Sequence, residues 1–169
     1  RAVVGGLVHP NGDQHGRAAN KIKRTQKIRR EAVRELRDHV SRGGRDEQEI
    51  GFVGVPPAPT FAGKLAQQME EVLDRAPLLI GDPARKVTRI AWCSGGAQDY
   101  FEAALATGAD VFISGEISEQ TVHLARESGV AYIAAGHHAT ERGGVQALAA
   151  HLREKLGLDC EFIDIENPV

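Results

Sequence analysis

The chain has 169 residues, 41% hydrophobic and 26% charged, with a formal net charge of −2, which suits one globular domain with a sizeable core. No apolar run approaches the roughly 20 residues needed to span a bilayer, and no apolar core follows Arg1 to Val8 as a signal peptide requires, so membrane insertion and secretion are excluded as expectations and the cytoplasm is the expected location. The sequence opens on Arg1 rather than Met, which reads as truncation at the N-terminus.

Residues 1 to 16 read as a short strand, Ala2 to Val4, and then a loop. Residues 17 to 42 read as a helix, because Ile28, Ala32, Leu36 and Val40 recur every four residues and form one apolar stripe. The charge is concentrated there. Arg17 to Arg45 holds 11 Lys and Arg against three acids, while the rest of the chain holds 10 bases and 20 acids. Such a helix could bind a phosphate backbone. It has no interleaved aromatics and matches no nucleic-acid motif, so a solvated basic face is expected and nucleic acid is not expected as a partner.

Ile50 to Val55 reads as a strand stopped by Pro56 and Pro57. Phe61 to Arg75 reads as an amphipathic helix with Leu65, Met69, Val72 and Leu73 inward, and Leu78 to Ile80 as a short strand. From Val87 the pattern is regular. Strands are expected at Val87 to Cys93, Asp110 to Ser114, Val130 to Ala135 and Cys160 to Ile165. Helices are expected at Gln98 to Thr107, Ser118 to Ser128 and Thr140 to Leu156, closed by Gly108, Gly129 and Gly157. Strands alternating with such helices imply an α/β fold with a mainly parallel βαβ sheet. Right-handed crossovers put the strand-to-helix loops on one sheet edge, where ligands bind such sheets. Ser94-Gly95-Gly96, Gly115-Glu116 and Gly136-His137-His138 therefore converge. Cys93 and Cys160 lie in apolar runs without a CxxC partner, so free thiols are expected rather than a disulfide or a cysteine-based zinc site.

Four groups of residues carry possible chemistry. His137 leaves a strand and Glu141 follows four residues later in a first helical turn. Together they suit a divalent ion such as zinc, iron or manganese, although a first-turn Glu also suits the helix dipole. His9, Asp13 and His15 form a second candidate set, within a stretch, Pro10-Asn11-Gly12-Asp13, for which a turn is the ordinary reading. Ser94, Gly95 and Gly96 could present backbone N–H groups to an anion or form a tight turn. Glu116 lies on the ligand edge. Glu119 and His123 share a helix face, where an ion pair is the ordinary reading.

Residues 87 to 169 resemble the GTP cyclohydrolase 1 type 2 (NIF-three-like) family. The resemblance rests on Ile90-Ala91-Trp92-Cys93-Ser94-Gly95-Gly96-Ala97-Gln98, on Gly115-Glu116-Ile117-Ser118-Glu119-Gln120-Thr121-Val122-His123, on Ala135-Gly136-His137-His138-Ala139-Thr140-Glu141-Arg142-Gly143-Gly144, and on the ending Phe162 to Pro168. It divides the chain into an N-terminal segment, 1–49, with the basic helix, and a NIF-three-like C-terminal α/β domain, 50–169. It implies a centre of two divalent metal ions between two α/β halves of a ring-shaped homohexamer. His137 and Glu141 take the places of family ligands. His9, Asp13 and His15 match the spacing of an upstream motif, in which Asp13 is the ligand with His9 beside it. The family's adjacent upstream His-His pair has no counterpart here, so the site within these residues is expected to be incomplete. The implied activity is hydrolysis of a nucleotide or phosphoester by metal-activated water, with Ser94, Gly95, Gly96, Glu116 and His123 as candidate contacts to a small phosphorylated ligand. The alternative is a non-catalytic metal-binding or regulatory scaffold.

Overall fold

A computed structural model describes residues 50–169. The readings of Ala2 to Val4, of the basic helix and of His9, Asp13 and His15 lie outside the described residues.

Among the described residues the main sheet has five strands. At its centre are β5 (Ile90–Trp92), β6 (Val111–Ser114) and β7 (Ala131–Ala134), paired in parallel. β1 (Phe52–Gly54) flanks β5 and β3 (Leu78–Ile80) flanks β7, both antiparallel. β2 (Thr60–Phe61) and β4 (Lys86–Val87) form a separate antiparallel ribbon. The helices are α1 (Ala62–Leu73), α2 (Phe101–Ala106), α3 (Glu119–Ser128) and α4 (His137–Leu156). A 3-10 turn, Gln98–Tyr100, leads into α2.

Both faces of the central strands are covered, and their sequences say why. Alternate side chains in a strand point to opposite faces. Ile90, Val111, Ala131 and Ile133 meet Ala62 and Ala66 of α1, with Leu65 and Met69 packed beside them. Ala91, Phe112, Tyr132 and Ala134 form the other core with Phe101 and Ala104 of α2 and Ala125 of α3. Phe101, Phe112 and Tyr132 interlock there, with ring centroids 5.1 to 5.7 Å apart. Strands buried on both faces read as continuous apolar runs, as these do.

Three expectations change. Val87 to Cys93 is two short strands in different sheets. The Asp110 carboxylate accepts from Thr88 N (2.8 Å), Thr88 Oγ1 (2.8 Å) and Arg89 N (3.1 Å) and turns the chain between them. Cys160 to Ile165 is not a strand: β3 pairs with β7 where a further parallel strand would add, and Ile163 and Ile165 are exposed. The last helix begins at His137, with Gly136 as its N-cap, not at Thr140. Cys93 and Cys160 are both free thiols. Among the described residues no helix is long and apolar enough to cross a membrane.

Candidate metal centre

The loops after β5, β6 and β7 meet at the carboxyl edge of the parallel strands. Their backbones are tied together: Gly115 N donates to Gly95 O (2.9 Å) and Gly136 N to Gly115 O (2.8 Å). The buried Ser114 hydroxyl accepts from Ala97 N and donates to Gly95 O, both at 3.2 Å. Thr140 Oγ1 accepts from Gly95 N (3.1 Å) and donates to His137 O (2.9 Å). Ser114 and Thr140 were not singled out in the sequence. A hydroxyl at a strand end and one in the first turn of the next helix were the available signals.

Because α4 starts at His137, His137 and Glu141 stand one turn apart on one helix face. His137 Nε2 lies 3.2 Å from Glu141 Oε2. On its other side, His137 Nδ1 lies 2.5 Å from Glu116 Oε1. The imidazole is thus held between two carboxylates. The hydrogen bond to Glu116 raises its pKa above the ordinary value. Burial opposes this, while the charges of Glu141 and Glu116 add to it.

Gly95 closes the floor of the site at φ +69°. A Cβ there would run into the Glu141 carboxylate and come within 3.2 Å of His137 Nε2. A Cβ on Gly96 would lie 3.4 Å from the Glu116 carboxylate. At Gly115 it would lie 2.6 Å from Gly95 O and 2.8 Å from the Cα of His137. The glycines let the backbone approach the acids closely. Burial, then the nearby Glu141, pushes the Cys93 thiol up.

The donor set fits a divalent cation. Two donors bound at about 2.0–2.1 Å to one tetrahedral zinc stand about 3.3 Å apart, close to the observed 3.2 Å. Gly95 provides the space that a side chain would fill. Among the described residues no group of three or more His, Cys, Asp or Glu converges as a metal site; His137 and Glu141 bring two donor atoms together. Asp13 and His9 lie outside the described residues. Of the candidate ligand contacts, Gly95 and Gly96 lie against the Glu141 and Glu116 carboxylates, Ser94 is exposed at the start of the loop, and Glu116 turns its carboxylate to His137. His123 faces Glu119 across 3.9 Å, both side chains exposed. His138 faces Asp164 at 3.3 Å.

This architecture defines a class: an α/β protein whose glycine loop and His-Glu helix start sit together on the carboxyl edge of parallel strands. The chain belongs to the Duf34/NIF3 (NGG1p interacting factor 3) family, whose sequence profile matches residues 7–168. A Neisseria meningitidis serogroup B protein named GTP cyclohydrolase 1 type 2 homolog is 53% identical over 106 residues, covering 63% of this chain and 43% of its own length. A Pseudomonas aeruginosa protein of the same name is 47% identical over 121 residues, covering 72% of this chain and 48% of its own. The solved structure of protein ybgI, titled as of unknown function, has a TM-score of 0.68 at 46% identity and covers 75% of this chain and 51% of that one. The chain therefore spans about half the length of these relatives.

Proposed function

We propose that His137 Nε2 and Glu141 bind a divalent cation, one half of a hydrolytic metal centre that acts on a nucleotide or phosphoester. The observation that carries this is the geometry of His137. One ring nitrogen is taken by Glu116 at 2.5 Å, and the other is 3.2 Å from Glu141. A bound cation of this kind lowers the pKa of water and polarises a phosphoryl oxygen.

The glycine loop supports the same reading in an indirect way. Gly95 N and Ala97 N already donate to Thr140 and Ser114, and the Glu116 and Glu141 carboxylates flank the loop. A bare phosphate would be repelled here, so a phosphorylated ligand would need a cation between itself and the acids. The same two donors would also serve a second reading, a metal-binding scaffold without turnover.

Titration of wild type, Glu141→Gln and His137→Ala with zinc, manganese and iron tests the site. Both variants should bind more weakly, because an amide is a poorer ligand than a carboxylate and alanine is none. Equal affinities would refute it. Metal-dependent release of phosphate from nucleotides or phosphoesters, lost in both variants, separates enzyme from scaffold.

A further inference from the structure

We propose that Glu116 is a positioning residue: its carboxylate fixes His137 in the Nδ1–H form, so that the Nε2 lone pair faces Glu141 and the cation. This rests on the reading of His137 as a metal ligand. It changes the expected role of Glu116 from a contact to substrate to a support for that ligand.

The geometry gives Glu116 little freedom to do otherwise. Its carbonyl accepts from the Tyr132 hydroxyl at 2.7 Å, and Tyr132 is fully buried beneath it. The preceding residue, Gly115, is bonded on both sides, to Gly95 O and from Gly136 N. The carboxylate passes over Gly96, where a Cβ would lie 3.4 Å from it, in van der Waals contact. It ends at His137 Nδ1, 2.5 Å away. His137 is fixed in turn, since Thr140 holds its carbonyl and that of Gly136 accepts from Thr140 N at 3.0 Å. A carboxylate on the outer nitrogen of a ligating imidazole sets the tautomer, orients the ring and raises its basicity as a ligand. Glu116 can only accept when ionised, so the proton between the pair sits on Nδ1. Glu141, exposed and one helical turn along, then faces the Nε2 lone pair across 3.2 Å, two acceptors that a cation would join.

The test uses the full chain, with Glu116→Leu and Glu116→Gln. Long-range nitrogen–proton NMR of the metal-free protein, at a pH above the His137 titration followed in the same spectra, reads the tautomer of the neutral ring. Wild type should show Nδ1–H, and Glu116→Leu should shift toward Nε2–H. Glu116→Gln keeps a carbonyl acceptor and should restore Nδ1–H. Zinc titration in parallel should show a loss of about 10–100-fold for Glu116→Leu, with Glu116→Gln in between. The glutamine variant keeps the side-chain shape should the leucine variant fail to fold. An Nε2–H tautomer in wild type overturns the proposal. So does a Glu116→Leu protein that keeps both the tautomer and the wild-type affinity while His137→Ala loses zinc. If wild type binds zinc no tighter than His137→Ala, the ligand reading itself fails and the proposal with it, and that pattern differs from the other two.

Discussion

Gly95→Ala separates backbone strain from metal chemistry at a single position. Gly95 has φ +69°, and Gly108 has φ +72°. The left-handed region costs an L-residue about 1–2 kcal/mol, so alanine should cost the same at either site. That corresponds to a fall in Tm of about 2–8 °C for a chain of this size. The surroundings of the two differ. A Cβ at Gly108 meets nothing within 4 Å, whereas at Gly95 it meets the Glu141 carboxyl carbon at 3.1 Å and His137 Nε2 at 3.2 Å. The Glu141 carboxylate is the far end of an exposed side chain, so it can swing away at little cost to the fold, but that removes it from Nε2. Gly95→Ala should therefore match Gly108→Ala in urea unfolding and yet bind zinc at least about tenfold more weakly, the lower end of what losing even an outer-shell partner costs. Competition titration against a chromogenic chelator reads the affinity. If the two variants bound zinc equally well, the assignment of Glu141 would be refuted.

Three further outcomes follow from the same contacts. Gly115→Ala places a Cβ against backbone at 2.6 and 2.8 Å, which cannot swing aside. It should destabilise the fold by several kcal/mol in urea unfolding, above the roughly 1–3 kcal/mol of ordinary overpacking. For Asp110, burial raises the carboxyl pKa, but the hydrogen bonds from Thr88 and Arg89 and the charge of Arg85 outweigh it and leave a net lowering. The stabilisation is therefore present above the unfolded carboxyl value of about 3.9 and lost as pH falls through the folded value. Asp110→Asn should cost about 1.5–3 kcal/mol at neutral pH, and the difference from wild type should shrink in acid unfolding. His137 has the opposite sign. Its raised pKa stabilises the metal-free protein below about 6.5, and this is lost as pH rises through the folded value. Zinc needs the neutral ring, so its affinity should rise over the same interval. Urea unfolding and zinc titration at matched pH, with His137→Ala as reference, check both trends.

The parallel centre of the fold was legible because Val111 to Ser114 and Ala131 to Ala134 are short apolar runs, each followed by a Gly-closed helix. The breaks were not. Thr88 and Arg89 look like strand residues, and only the distant Asp110 carboxylate turns them aside. Cys160 to Ile165 alternates like a strand, but a strand needs a partner, and β3 already pairs with β7. The convergence of Gly95, Glu116 and His137 on one edge followed from the βαβ handedness. That Glu116 would serve His137 did not, although neighbouring parallel strands β6 and β7 bring their ends side by side. The offset between His137 and Glu141 read correctly as four residues but wrongly as crossing a loop, because Gly136 caps the helix earlier than its apolar pattern begins.

The same stitching of loops sets an order in time. Gly95 and Thr140 meet across 45 residues of chain, and bringing such distant segments together is slow relative to local helix formation. His137 and Glu141 share one helix and can be neighbours as soon as its first turn forms. The floor beneath them and the carboxylate behind the imidazole arrive only when β5, β6 and β7 have paired. In refolding, the zinc affinity proposed for His137 and Glu141 should therefore appear with sheet assembly rather than with the early rise in helical signal.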